Sequence, residues 1–173
     1  MSVHRATSVA AVASTVALVV AACSSSSGKH AKSAPSLAPA QSVAHLTLTS
    51  PAFADQSPIP PQFTCAGANQ SPPLAWSGVP PNATELRLTV VDPDAPGGSF
   101  MHWALTRIDP HVTSIGAGQT PPGAVGSRNS RGEDRYTGPC PPAGKPHHYV
   151  FTLQALNGDV LVGEGTLTGT FSR

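Results

Sequence analysis

The sequence predicts an all-β domain with few, short helices, and three observations support this fold class. Short segments that alternate apolar and polar residues recur in the second part of the chain, as expected for strands with one buried face. Connections rich in Pro and Gly separate these segments, in a chain of 173 residues with 16 Gly and 19 Pro. No long stretch shows clean helical periodicity, and Gly and Pro are costly inside helices. A single-domain β-sandwich or barrel follows.

The predicted strands share this alternation. In chain order they are residues 45–50 (HLTLTS), 85–91 (ELRLTVV), 102–108 (HWALTRI), 147–156 (HHYVFTLQAL) and 160–171. The last of these segments is expected to form one or two strands. The second strand shows it best, because Leu86, Leu88 and Val90 alternate with charged and polar neighbours. The glycines at 158 and 163–165 are predicted to form turns or bulges around the last strand.

The first 45 residues differ from the rest, because all nine acidic residues of the chain lie beyond them. Residues 6–22 are small and mostly apolar, carry no charge, and end in Val-Ala-Ala before Cys23. This pattern predicts a secretory signal peptide at residues 1–22. Its end resembles the bacterial lipobox, which implies cleavage before Cys23 and lipidation of that residue. An uncleaved membrane anchor is the alternative, but the apolar run is short of the roughly 20 residues that span a bilayer.

Residues 24–45 are rich in Ser, Ala and Pro, and bury too little apolar surface to fold alone. We therefore expect residues 23–45 to form a lipidated cysteine and a flexible tether, and residues 46–173 to form the folded domain. The protein is then anchored to the cell membrane through Cys23, outside the cytoplasm. The chain has a formal net charge of +1 and no basic cluster, which argues against nucleic acid as a partner.

Cys65 and Cys140 remain as a possible pair once Cys23 carries lipid. Two cysteines outside the cytoplasm usually form a disulfide, and we expect one here. Two buried free thiols are the alternative.

Three short stretches place carboxylates and histidines at strand ends beside rigid turns. They are residues 92–96 (DPDAP), 102–103 (HW), and 138–144 (GPCPPAG) with the strand that begins at His147. Side chains alternate along a strand, so His147 shares the apolar face with Tyr149, and His148 faces solvent. These positions predict that His147 lines a pocket. The simpler alternative is that Asp92 and Asp94 only cap backbone N–H groups in a turn.

These stretches, in this order and spacing, resemble the phosphatidylethanolamine-binding protein family, in its bacterial Raf-kinase-inhibitor-like branch. Residues 67–76, 126–129 and 165–173 also look like that branch, so the resemblance covers about residues 46–173. It implies a β-sandwich with a small anion pocket at one end. It also implies a cis bond between Ala95 and Pro96, which proline permits at modest cost.

The resemblance implies a set of ligand-binding residues: Asp92, Asp94, His102, Tyr136, Gly138, Pro142, His147 and Tyr149. An imidazolium can bind a phosphate-like oxyanion, while a buried aspartate orients the ring and favours its charged form. Rigid proline turns hold such groups in place before the ligand arrives, which lowers the entropic cost of binding.

The function expected from these observations is a membrane-anchored, non-enzymatic binding protein for phosphate-bearing ligands or phospholipid headgroups, without a cofactor. A protein-interaction module that inhibits a kinase or protease is the first alternative, with function carried by the loops. A hydrolase that uses an Asp-His pair is the second, although the chain has no G-x-S-x-G motif. No metal site is predicted, because no H-x-H or H-x-x-x-H spacing occurs.

Overall fold

A computed structural model describes residues 42–173. The predicted signal peptide, Cys23 and most of the predicted tether lie outside the described residues. Ala44 and His45, which the sequence places at the end of the tether, form a strand that pairs with Gly163 and Glu164. No helix of the described part of the chain is long and apolar enough to cross a membrane.

The described chain consists of strands joined by turns, with a single 3-10 turn at Pro61–Phe63. The strands are β1 (Ala44–His45), β2 (Thr47–Thr49), β3 (Ser57–Pro58), β4 (Leu74–Ser77), β5 (Glu85–Asp92), β6 (Phe100–Ile108), β7 (Ser114–Ile115), β8 (Val125–Gly126), β9 (His147–Asn157) and β10 (Val160–Phe171).

The strands form two sheets that share one core. The larger sheet has the order β1-β10-β9-β5-β6-β8, with β3 also paired to β10, and the smaller has the order β2-β4-β7. Pairing is antiparallel except where β1 and β3 lie parallel to β10. Leu48 and Trp76 of the smaller sheet and Leu88 and Phe151 of the larger belong to the same buried cluster. The prediction of a single all-β sandwich domain is confirmed.

Alternation along β5 builds the centre of this core. Leu86, Leu88 and Val90 are fully buried, and the residues between them are half-buried. Strand β9 alternates in the same way from Tyr149 onward, and pairs with β5 on one side and β10 on the other. The last predicted segment is one strand, and an irregularity between Leu161 and Gly163 matches the predicted bulge.

Strand β6 departs from simple alternation. Val90 pairs with Trp103 and Val91 pairs with Met101, so His102 is an extra residue in a β-bulge. As a result His102 and Trp103 are both buried although they are adjacent in sequence. Without the bulge, alternation would place His102 on the same face as Ala104, which is only half-buried. The bulge turns the imidazole inward, at the end of the sheet where β5 ends.

Candidate functional site

A buried aspartate and histidine face each other where β5 ends and β9 begins. The antiparallel pairing of these strands brings Asp92 and His147 to the same end of the sheet. Asp92 Oδ2 lies 2.8 Å from His147 Nδ1, and Asp92 Oδ1 accepts a hydrogen bond of 2.8 Å from the N–H of Asp94. The two side chains are only 5% and 13% exposed. Because the carboxylate accepts from Nδ1, the ring is fixed with its Nε2 edge left for another partner.

His102 is fixed by the loop that covers the end of the sheet. Its Nδ1 lies 2.6 Å from the carbonyl oxygen of Thr137, and Thr137 N–H donates back to the His102 carbonyl at 3.0 Å. Since a carbonyl only accepts, Nδ1 carries the proton. Burial lowers the pKa of His102, and the charge of Arg131 lowers it further. The hydrogen bond to Thr137 and the charge of Asp92 act in the opposite direction. Burial therefore favours a neutral imidazole at this position.

Asn129 organises the covering loop, which contains no strand or helix from residue 127 to residue 142. Its side chain is buried. The amide nitrogen donates to the carbonyl of Arg135 at 2.9 Å and to Thr137 Oγ1 at 3.0 Å. The amide oxygen accepts from the N–H groups of Arg131 and Glu133 at 2.9 and 3.1 Å. The Asn129 side chain thus supplies the loop with hydrogen bonds of the kind that a strand forms with the neighbouring strand.

The far part of the loop is fastened to residues 63–69. Gly138 N–H donates to Asn69 Oδ1 at 2.7 Å, and a Cβ on Gly138 would lie 2.7 Å from the carbonyl oxygen of Phe63, so only glycine permits this approach. Cys65 and Cys140 are joined by a disulfide with their Cα atoms 5.4 Å apart, in agreement with the expected pairing. Cys65 N–H also donates to the carbonyl of Pro139 at 3.0 Å.

These elements enclose a cavity of about 110 Å³. Its polar lining combines Asp92, His102 and His147 with the cation Arg131, and the rest of its lining is mostly backbone and apolar: Ala95, Pro96, Phe100, Thr137, Gly138, Cys140, Pro141 and Pro142. Five of the predicted ligand-binding residues therefore meet in one cavity, namely Asp92, His102, Gly138, Pro142 and His147.

The other three predicted residues do not line this cavity. Asp94 lies outside it, where its Oδ2 is 2.7 Å from His148 Nδ1 and accepts from the His148 N–H, which lowers the pKa of Asp94. Tyr136 is buried and donates its hydroxyl to the Phe63 carbonyl at 2.9 Å. Tyr149 is fully buried, and its hydroxyl has no hydrogen-bond partner among the described residues. That these three residues contact a ligand stays a prediction.

Tyr149 nevertheless affects the site through its position. Its ring meets that of His102 edge-on with centroids 5.1 Å apart. Burial, followed by the charge of the Asp92 carboxylate, raises the pKa of Tyr149, so the phenol stays protonated. The ring therefore forms an uncharged support beneath His102.

The cavity lining includes Phe100 and Arg131, which are not among the predicted ligand-binding residues. Phe100 half-covers the cavity, with its ring 4.7 Å from that of His102. Its position could indicate this, because it lies two residues before His102 and side chains alternate along a strand. Arg131 appears in the sequence as one of several loop cations, and only the turn built on Asn129 brings it to the cavity.

The Ala95–Pro96 bond corrects another expectation. Every peptide bond in residues 42–173 is trans, so the cis bond implied by the resemblance is wrong. The trans form is the lower-energy isomer of an X-Pro bond by about 0.5–1 kcal/mol. Both residues line the cavity in this form. Within the same residues, no three His, Cys, Asp or Glu side chains group closely enough to hold a metal ion.

Comparison with known sequences identifies the family. The family model for "Phosphatidylethanolamine-binding protein" matches residues 49–171. The chain belongs to this family. The predicted membership is confirmed, and the motifs that carried the resemblance are those that line or support the cavity.

Relatives and solved structures agree with this assignment. The chain is 54% identical over 119 residues to the Mycobacterium tuberculosis protein named "Putative lipoprotein LppC", covering 68% of this chain and 59% of LppC. It is 42% identical to the Escherichia coli UPF0098 protein YbcL, over 62% of this chain and 63% of YbcL.

The crystal structure of YbcL superposes with a TM-score of 0.69 at 30% identity, over 74% of this chain and 98% of that one. That of the phosphatidylethanolamine-binding protein homologue CT736 from Chlamydia trachomatis superposes with a TM-score of 0.71 at 33% identity, over 76% and 99%.

Proposed function

We propose that this phosphatidylethanolamine-binding family member is a membrane-anchored, non-enzymatic binding protein whose cavity takes the phosphate group of a small ligand or a phospholipid headgroup. One observation carries the proposal. Two histidines are fixed through Nδ1 to Asp92 and to the Thr137 carbonyl, and both line one small cavity with Arg131. The Arg131 guanidinium is a donor available to an anion, and each Nε2 becomes a donor when its ring takes up a second proton.

The size of the cavity suits a small anion. About 110 Å³ corresponds to the liquid volume of three or four waters, at roughly 30 Å³ each. A phosphate group displaces that water, and a whole lipid does not enter. The apolar part of the lining, including Pro96, Phe100 and Pro142, suits the carbon atoms next to the phosphate in an ester.

Protonation supports anion binding in this cavity. His102 favours the neutral form, because burial lowers its pKa. An anion close to the ring favours the charged form and opposes that effect. We therefore expect binding to be coupled to proton uptake by His102. The affinity for a phosphate ester should then rise as the pH falls and a larger fraction of the imidazole is protonated.

A titration followed by imidazole NMR signals tests the cavity. We expect phosphoethanolamine or inorganic phosphate to shift the ring signals of His102 and His147. His111 is the control, because its side chain is 93% exposed and does not line the cavity. Millimolar ligand that leaves both cavity signals unmoved, or that shifts His111 as much, refutes the anion site.

The lipid anchor is supported by residues 20–23 (VAAC) and by the similarity to LppC, a relative named as a lipoprotein. Cleavage before Cys23 would place the lipidated amine at the start of the mature chain. Growth with a labelled fatty acid tests this. Label should enter the wild-type protein and be lost in Cys23→Ala, and label that persists in that variant overturns the anchor.

The Asp92–His147 contact favours hydrolysis as a second candidate, because an oriented imidazole can act as a general base toward water. The cavity offers little else for that chemistry. Thr137 is the only hydroxyl residue lining it, and its Oγ1 is already bonded to Asn129 and Glu133. Turnover of a panel of phosphate esters, abolished by His147→Ala, would make an enzyme the better assignment.

A further inference from the structure

A second cavity lies beside the first. Its volume is about 460 Å³, roughly four times that of the first cavity. Four residues line both cavities, namely Arg131, Thr137, Gly138 and Cys140. The remaining residues of the second cavity are Cys65, Ala68, Asn69, Glu133, Arg135 and Tyr136. The two cavities are thus adjacent, and Arg131 belongs to both linings.

The second cavity offers many polar groups and little apolar surface. The Asn69 oxygen accepts from Gly138 N–H, while its amide nitrogen has no hydrogen bond with the described residues. Glu133 and Arg135 form an ion pair at 3.2 Å that still has free donors and acceptors. Arg131 has no salt bridge within residues 42–173. This lining contains paired donors and acceptors of the kind that hydroxyl groups satisfy.

We propose that the two cavities form one bipartite site for a phosphate ester whose alcohol part is rich in hydroxyl groups, such as a sugar or polyol. The phosphate occupies the first cavity between His102 and His147. The hydroxyl groups lie in the second cavity against Asn69 and the Glu133–Arg135 pair, and Arg131 contacts both parts. The inference rests on the proposed function, since the phosphate is what holds the ligand in register.

Other occupants of the second cavity fit less well. A hydrocarbon chain would strip water from the Arg, Glu and Asn side chains without replacing those hydrogen bonds, which is costly. A second phosphate would lie against the Glu133 carboxylate. A hydroxyl-rich group can instead donate to Glu133 and accept from Arg135 and Asn69.

Three ligands separate these cases by calorimetry on the folded protein: inorganic phosphate, glucose 6-phosphate and n-hexyl phosphate. The two esters have the same number of carbons and differ in their hydroxyl groups. We expect glucose 6-phosphate to bind on the order of tenfold more tightly than phosphate, as one or two additional hydrogen bonds allow. Hexyl phosphate should gain much less.

Matched arginine variants locate the effect. Arg135→Ala should remove most of the gain of glucose 6-phosphate over phosphate, and Arg131→Ala should weaken both ligands. Arg128→Ala is the control, because Arg128 belongs to the same loop and lines neither cavity. Thermal unfolding of each variant checks its fold.

The outcomes distinguish the two proposals. If phosphate binds and glucose 6-phosphate binds no more tightly, or Arg128→Ala matches Arg135→Ala, the bipartite site is refuted and the anion site stands. A larger gain for hexyl phosphate also refutes it. If neither phosphate nor its esters bind, both proposals fail.

Discussion

The two walls of the first cavity are built in different ways. One wall is formed by strand ends and carries Asp92, His102 and His147 on β5, β6 and β9. The other is the loop from residue 127 to residue 142, which has no strand or helix. The strand wall rests on continuous backbone pairing over a buried core. The loop wall depends on Asn129, Asn69 and one disulfide.

The two walls therefore have different roles in the cavity. The strand wall supplies Asp92 and the two histidines on a backbone held by many hydrogen bonds, and the loop wall adds the cation Arg131. The loop wall fixes His102 through the Thr137 carbonyl and closes the cavity, but it relies on a few contacts. Changes in the loop wall should therefore have large effects on stability and closure, while changes in the strand wall should act on binding through charge.

The largest effect is expected from the disulfide of the loop wall. Replacing Cys65 and Cys140 together by Ser opens a covalent loop with a sequence separation of 75 residues. The chain-entropy model predicts a loss of free energy of unfolding on the order of 4 kcal/mol. Urea unfolding measures this loss. Phosphate affinity should fall as well, because Cys140 lines the cavity and its segment is released.

Wild-type protein under a strong reductant is the control for the serine variant. The two should unfold at similar urea concentrations, since both lack the cross-link. A double variant within about 1 kcal/mol of the oxidised wild type would show that the loop wall is held by its hydrogen bonds alone. The contrast between the walls would then be much smaller than proposed.

A smaller effect is expected from the carboxylate of the strand wall. Asp92→Asn removes the carboxylate that accepts from His147, and a hydrogen bond to a charged group is typically worth about 1.5–3 kcal/mol. Asp94→Asn is a matched control two residues away, because Asp94 also pairs with a histidine but is 42% exposed. Exposed pairs are worth up to about 1 kcal/mol. Equal losses of unfolding free energy in the two variants would contradict the role of burial.

The same substitutions sharpen the functional contrast. Asp92→Asn releases the orientation of the His147 ring, so phosphate affinity should fall together with stability. Asp94→Asn should leave phosphate affinity near the wild-type value, because Asp94 does not line the cavity. Calorimetric titration with phosphate measures both.

Much of the strand wall could be predicted from the sequence. Period-two alternation located β5 and β9, and strand ends next to Pro-rich turns indicated Asp92 and His147. The exceptions have local causes. His102 is turned inward by a bulge that alternation does not reveal, and Leu74–Ser77 was missed because it is a short strand that directly follows two prolines.

The loop wall was largely beyond sequence reasoning, even with the family resemblance. Nothing in the pattern of residues 127–142 shows that Asn129 supplies four or more hydrogen bonds to the loop. The position of Arg131 follows from that turn, so its place in the cavity lining was not predicted either. The family resemblance put Tyr136 and Tyr149 among the ligand-binding residues; both are buried and neither lines the first cavity.

The smallest effect is expected from His102, where the two walls meet. Burial lowers the pKa of His102 below its usual value of about 6.5, so the unfolded chain binds the proton more readily than the folded chain. Stability from this group is therefore complete above about pH 7.5 and falls as the pH drops through 6.5 toward the folded pKa. The carboxylates of Asp94, Asp109 and Glu133, whose pKa values are lowered, favour the folded state at neutral pH and lose that contribution only at more acidic pH than His102 does.

Urea unfolding from pH 8 to pH 5 tests this dependence. The loss of stability on acidification should be smaller in His102→Asn than in the wild type, whereas His111→Asn should follow the wild type, since His111 is exposed. Saturating phosphate should reduce the wild-type loss, because a bound anion favours the protonated ring. If His102→Asn and the wild type lose stability in parallel, the loop wall does not exclude enough water to affect the imidazole, and the two walls are not coupled through His102.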